Sequence, residues 1–187
     1  MINFLETYIT SAYHYISGNA PDPSKETVRR ENVLVILHNK SNNTFAVLDR
    51  EKLNRKSWIM GGIDGQDIIT AAQREVEEEA WYIDLKHEVT LQGESHGEYF
   101  AAHKWISRYS IEHCVVFNLL SDKKHTLPLD DDNHALSRLP FEQVEAFLLQ
   151  VPGPSSNAMF WYEYTQQIEK LEHYLNNFTR IEKDPQL

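Results

Sequence analysis

The sequence is short of thiols, of long apolar runs and of positive charge. Cysteine occurs once in 187 residues, at Cys114. A single thiol closes no internal disulfide and suits a reducing compartment. No apolar run approaches the roughly eighteen residues a membrane-spanning helix requires. The first residues lack a basic segment leading into an apolar stretch, and Glu6 intrudes early, so no export signal is legible. These absences predict a cytoplasmic protein, in which the N-x-[ST] sequons at Asn42 and Asn177 carry no meaning. Against 28 Asp and Glu there are only 18 Lys and Arg, a formal net charge of -10. A surface that negative repels nucleic-acid backbones and anionic lipid, which disfavours broad nucleic-acid binding and membrane association. It leaves room for a small anionic substrate, because carboxylates that hold divalent cations turn an acidic pocket into a phosphate receptor.

What is present suits one domain over residues 1–187, with a core at about 30–150. Leu5, Tyr8, Ile9, Ala12 and Ile16 recur at helical spacing, which predicts a helix over 2–16, and Gly18 to Pro23 form a linker after it. The β-branched runs at 32–39 and 44–50 flank the turn-prone "KSNN" and predict a hairpin. "SWIM" (57–60) reads as a further strand, followed by strands at about 85–91, 97–105 and 108–120. A helix is expected after Pro140, and "PGPS" then breaks the chain. Phe160, Tyr164, Ile168, Leu171, Leu175 and Phe178 stripe one long final helix at about 157–178. Mixed strands with a few helices point to an α/β or α+β fold, a three-layer sandwich.

The informative segment is "GGIDGQDIITAAQREVEEEAWY", 61–82. Asp67 stands where a carboxylate satisfies the free N–H groups of a helix start. Glu75, Glu78 and Glu79 then fall at i, i+3 and i+4, so their carboxylates share a helical face, while Ala72 and Val76 give the same helix an apolar side. Glutamate runs on helices are ordinarily solvated faces. Like charges gathered this way cost stability unless something positive neutralises them. Hard cations such as Mg²⁺ or Mn²⁺ want such oxygen ligands, and the glycines at 61 and 62 let backbone come close enough for the Gly61 carbonyl to join them.

These residues resemble the Nudix box, G-x5-E-x7-R-E-U-x-E-E-x-G-U with U a bulky aliphatic residue. Arg74, Glu75, Val76, Glu78 and Glu79 match R-E-U-x-E-E position for position. The resemblance implies a Nudix α/β/α sandwich with a mixed sheet. It also implies metal ligation by Glu75, Glu78 and Glu79, with Glu78, Glu79 and Arg74 as catalytic residues, the arginine holding the glutamates in place. The chain departs from the pattern where Gln66 replaces the first glutamate and where Trp81 and Tyr82 replace the final glycine and aliphatic residue. Between Gly62 and Gln66 it is also two residues shorter. A left-handed Trp81 is strained by on the order of 1 kcal/mol or more, so a rebuilt helix exit is expected.

Beyond the box, residues 95–120 carry His96, Glu98, His103, Lys104 and Arg108 on segments that read as adjacent strands. Lys104 and Arg108 suit phosphate oxygens; His96 and Glu98 suit a further metal ligand or the base that activates water. Each is substrate-binding only against the commoner alternative of an ordinary surface or hydrogen-bonded residue. "YFAAHKWISRY" is similar to the Nudix-like module inserted in some bacterial leucyl-tRNA synthetases, a similarity over roughly 30–150 that suggests a role beside translation. Trp161, Tyr162 and Tyr164 can stack a base, but aromatics at helical spacing ordinarily pack. Asp130, Asp131 and Asp132, before His134, read as a solvated loop.

Beside that translation-linked role, action on an aminoacyl or nucleotide adduct, two functions are expected to compete. One is Mg²⁺- or Mn²⁺-dependent hydrolysis of a nucleoside diphosphate linked to another moiety. The other is a nucleotide- or protein-binding module that has kept the fold and lost turnover, favoured by Gln66, the shortened loop and Trp81. Fold cannot choose between them. The partner expected is a small nucleotide-like molecule, and a homodimer stays open.

Overall fold

Apolar runs and stripes, interrupted by turn residues, make nine strands and four helices among the described residues. The structure is a computed structural model describing residues 12–16, 19–50, 55–102, 104–125, 135–150 and 153–178. In chain order these are β1 Ala12–Ile16, β2 Thr27–Asn39, β3 Thr44–Arg50, β4 Arg55–Ser57, β5 Ile59–Gly62, α1 Ile68–Ala80, β6 Leu85–Thr90, β7 Glu94–Ala101, β8 Ile106–Leu119, β9 Ala135–Pro140, α2 Phe141–Leu148, α3 Ser156–Tyr164 and α4 Ile168–Phe178. The described residues of 12–31, 92–112 and 153–178 form one compact unit, and those of 32–91 and 113–150 another.

In the second unit the hairpin of β2 and β3 forms as expected, with Leu37 opposite Ala46 and Asn39 opposite Thr44. Its turn is shaped by Asn39, whose side-chain oxygen accepts from the N–H and hydroxyl of Ser41 at 3.1 and 2.6 Å. Asn43 supplies the positive φ of 52° that asparagine tolerates better than most residues. Strand β3 also pairs with β4 and β9, β2 with β5, and β6 with β8, all antiparallel. Val33, Val35 and Leu37 alternate with Leu34 and Ile36, and all are essentially inaccessible, the signature of a strand covered on both faces. One face packs Val33, Val35, Leu37, Ala46 and Leu48 beneath Ala72, Val76 and Ala80 of α1. On the other, Phe45 lies between Trp58 and Phe141, the first residue of α2, with ring centroids 6.4 and 6.2 Å away. Helix, sheet and helix thus form three layers, each large buried side chain contributing roughly 1.5–3 kcal/mol through burial.

In the first unit β1 runs parallel to β7, with His14 opposite His96, and β7 pairs antiparallel with β8. That parallel pair makes the strand pairing mixed, as expected of the fold class. Two expectations fail here. Residues 12–16 are a strand, not the end of a helix over 2–16. Tyr13 and Tyr15 are buried while Ile16 is exposed, a period of two that the apolar positions read at helical spacing concealed. Residues 2–11 lie outside the described residues. The final helix is likewise two helices. Gln166, at φ 54°, breaks it; its N–H returns to the Glu163 carbonyl and that of Gln167 to the Tyr162 carbonyl, a Schellman closure built without glycine.

Strand ends also shift. The 97–105 strand is Glu94–Ala101, and "SWIM" is divided between β4 and β5 on either side of the fully buried Trp58. No helix among the described residues is long and apolar enough to cross a membrane.

Candidate active site

Strand β5 delivers Gly61 and Gly62 to a tight turn through Asp64 (φ 51°) and Gly65 (φ 80°), closed by the Gln66 N–H on the Ile63 carbonyl at 3.0 Å. Asp67 then starts α1, its extended backbone turning the side chain back to accept from the Thr70 N–H at 3.0 Å. Hydrogen bonding to Thr70 holds the Asp67 carboxyl below its usual range. The turn and cap fix the first residues of the helix, and so the direction in which its glutamates project.

Glu75 is buried, and its carboxylate occupies the space beside Gly61. A Cβ on that glycine would fall 2.0 Å from the Glu75 carboxylate. Burial, partly offset by the Arg74 guanidinium and reinforced by Glu79 and Glu78, pushes the Glu75 carboxyl up to about 7. Arg74 binds Glu75 at 2.7 Å and Glu78 at 3.0 Å through the same nitrogen, Nη1. Its Nη2 donates to the Gly62 carbonyl at 2.6 Å, and its Nε to the side-chain oxygen of Gln66 at 3.0 Å. All three guanidinium nitrogens are engaged, so Arg74 ties two glutamates to the glycine turn. Gln66, where the box has a glutamate, serves as an acceptor for this arginine.

Glu79 is held differently. Its Oε2 accepts from the Met60 N–H at 3.1 Å, and its Oε1 is paired with Arg50 at the end of β3. Arg50 has no local signal, because its partner lies 29 positions away and no pattern links them. Among the described residues, no group of three His, Cys, Asp or Glu is gathered closely enough to hold a metal ion.

The helix exit corrects an expectation. Trp81 adopts the left-handed conformation, φ 64° and ψ 7°, in the place of the glycine. Its carbonyl accepts from the His125 N–H at 2.8 Å, and the Lys124 ammonium lies 5.5 Å from its ring and 4.7 Å from that of Tyr82. Tyr82 is buried and accepts a 2.7 Å hydrogen bond from Arg138. The neighbouring chain overdetermines the strained residue. The indole Nε1 is buried without a hydrogen-bond partner.

The other expected site residues belong to the first unit, whereas the glutamate helix belongs to the second. His96 and Glu98 lie on β7 and share one face. Arg108 pairs with Tyr99 on β8, and the two-residue period puts it on the opposite face. Lys104 lies not on a strand but in the exposed turn after β7. His96 Nδ1 is 2.5 Å from the Tyr109 hydroxyl, its Nε2 is 3.5 Å from Glu94, and its ring centroid is 4.5 Å from that of His14. Burial, then the nearby His14, depress its pKa. Trp161 and Tyr162 are buried packing residues of α3. His103, Asp130, Asp131, Asp132 and His134 lie outside the described residues.

A family model described as NUDIX domain matches residues 28–162. The chain belongs to the NUDIX domain family. Among solved structures this NUDIX domain is similar to a NUDIX hydrolase from Nitrosomonas europaea, at 14% identity and a TM-score of 0.52, over 75% of this chain and 90% of that one. It is also similar to the E. coli dihydroneopterin triphosphate pyrophosphohydrolase, at 17% identity and a TM-score of 0.53, over 80% and 99% of the two chains. At these identities the likeness is one of fold. No curated protein sequence matches the chain.

Proposed function

We propose that this NUDIX domain is a hydrolase that uses Mg²⁺ or Mn²⁺ to cleave a nucleoside diphosphate linked to another moiety. The observation that carries the reading is the Glu75 carboxylate in the cradle left by Gly61, beside two further carboxylates. A buried carboxyl pushed up to about 7 by burial and by like charges is a group for which a divalent cation is the fitting counter-charge. Glu75, Glu78 and Glu79, not gathered closely enough as they stand to close on an ion, would have to converge to hold the cation, with the Gly61 carbonyl as a further oxygen donor. When bound, such a cation polarises a phosphoryl oxygen and lowers the pKa of an attacking water.

The protein's own part is orientation and proton transfer. Arg74 fixes Glu75 and Glu78 from one nitrogen and anchors both to the glycine turn. Glu78 is the most exposed of the three glutamates, at 44% against 8% for Glu75 and 13% for Glu79, which supports a role for it in taking a proton from water. Gln66 cannot serve as a base.

One observation favours the second reading, a binding module without turnover. Arg74 and Arg50 already neutralise Glu78 and Glu79, so part of the acidic face is satisfied without a cation. A panel of nucleoside diphosphate derivatives, extended to aminoacyl-adenylates (acyl esters of a single phosphate) on the strength of the motif at 99–109, separates the two. With Mg²⁺ or Mn²⁺ present, release of monophosphate supports the enzyme. Tight binding of one panel member with no turnover of any under either metal sinks it.

A further inference from the structure

Two arginines hold the acidic face of α1, and they are not equivalent. Arg74 has a partner on every guanidinium nitrogen. Arg50 meets Glu79 through Nη2, while its Nε is buried without a hydrogen-bond partner. The pair is nearly enclosed, with side-chain exposures of 17% for Arg50 and 13% for Glu79. Keeping an arginine there with a donor unused is costly, because both the desolvated charge and the orphaned N–H lose their hydration. Glu79 does not depend on Arg50 alone for its orientation, since the Met60 N–H holds its other oxygen.

We infer that Arg50 is an exchangeable partner of Glu79, holding that carboxylate while no cation is present and passing to a phosphate group of the substrate once a cation takes it. This rests on the metal-dependent reading above. A divalent cation at Glu79 competes with the guanidinium for the same oxygen and repels it. The displaced arginine then stands at the rim of the acidic face with its fork unpaired. A diphosphate is the anion that matches it, because a guanidinium binds phosphate through two parallel N–H groups, a geometry an ammonium cannot reproduce. Arg50 would thus suppress occupation of the site by metal alone and favour metal arriving with substrate. The coupling is reciprocal, as linkage requires.

The test titrates the full chain with Mn²⁺ alone, then with the α,β-methylene analogue of ADP at saturating Mn²⁺. It uses the parent, Arg50→Gln, Arg50→Lys and Glu78→Gln/Glu79→Gln. Arg50→Gln removes the competitor and should bind Mn²⁺ about tenfold more tightly while binding the analogue about tenfold more weakly, the scale of one charge-assisted contact. Arg50→Lys keeps the charge but not the fork, so Mn²⁺ affinity should stay near the parent's and only analogue affinity should fall. An unchanged or weaker Mn²⁺ affinity in Arg50→Gln makes Arg50 a mere support for Glu79 and overturns the exchange. If melting in metal-free buffer shows Arg50→Gln unfolded, Arg50→Lys decides: both affinities falling, or neither, overturns the exchange. Parent-like Mn²⁺ binding by Glu78→Gln/Glu79→Gln instead overturns the metal site itself, and no binding by any of the four overturns both. Mn²⁺ binding by Arg50→Gln where the parent shows none supports the exchange in its strongest form.

Discussion

The carboxylate of Glu75 occupies the space that a side chain on Gly61 would need: a Cβ there falls 2.0 Å from its oxygen. A methyl at 61 must therefore displace the buried carboxylate. Gly61→Ala is expected to lower the melting temperature and to abolish the rise that Mn²⁺ produces in the parent, since a ligand stabilises only the state it binds. Gly61→Ala/Glu75→Ala removes the clash as well as the ligand. It should recover most of the lost stability and none of the Mn²⁺ response. A Gly61→Ala protein that keeps its Mn²⁺ shift would remove Glu75 from the site.

The glutamate helix was legible because its signal is local: Asp67 caps, the apolar positions keep a 3.6-residue period, and Glu75, Glu78 and Glu79 follow from spacing alone. What escaped depends on partners distant in the chain. The Arg50 pair with Glu79 has no sequence trace. Glu112 is buried and receives hydrogen bonds from Tyr15 and Ser95 at 3.0 and 2.9 Å, yet in sequence it is one acid among many. The strand at 12–16 is concealed in the sequence because Ala12 and Ile16 also fit a helix. The break at Gln166 carries neither glycine nor proline, so nothing local announces it.

Trp81 weighs strain against burial. Trp81→Gly relieves a left-handed penalty of about 1 kcal/mol and an unpaired N–H, but loses the ring that packs beneath Lys124. The expected net destabilisation is about 1–2 kcal/mol in denaturant melts, against roughly 3–5 for Trp58→Ala, where a fully buried ring leaves a cavity. Equal losses at the two positions would show that the conformation at 81 stores no strain.

Glu163 predicts a pH effect. Its Oε1 accepts from the Gly93 N–H at 3.1 Å, while Oε2 is buried with no hydrogen-bond partner. Burial raises its pKa above the ordinary carboxylate value despite the backbone hydrogen bonds. A carboxyl raised in the folded state binds its proton more tightly there, so its contribution to stability is intact in acid and is lost as pH climbs from the ordinary carboxylate range through the raised value. Glu163→Gln retains the acceptor for Gly93 and carries no charge. It should match the parent in acid and be more stable than the parent at neutral pH. Melting curves that run parallel across that range would rule out Glu163 as the source.

The last expectation separates chemistry from binding. If Glu79 holds the cation that stabilises the breaking bond, Glu79→Gln should reduce kcat by at least about a hundredfold, about 2.7 kcal/mol of transition-state stabilisation. The loss in ground-state affinity should be smaller, because the charge matters most as the bond breaks. Arg74→Lys should also lower kcat. An ammonium cannot satisfy Glu75, Glu78, the Gly62 carbonyl and Gln66 from one position, so the carboxylates lose their alignment while keeping their charge. Raising Mn²⁺ should rescue Arg74→Lys in part, since misaligned ligands still bind a cation at higher concentration, but should not restore Glu79→Gln, which has lost one. Steady-state kinetics on the best substrate, with Mn²⁺ varied over several orders of magnitude, provides the check. Full rescue of Glu79→Gln by metal, or a kcat indifferent to that substitution, would take Glu79 out of the reaction and leave the arginine-tied acidic face with a recognition role.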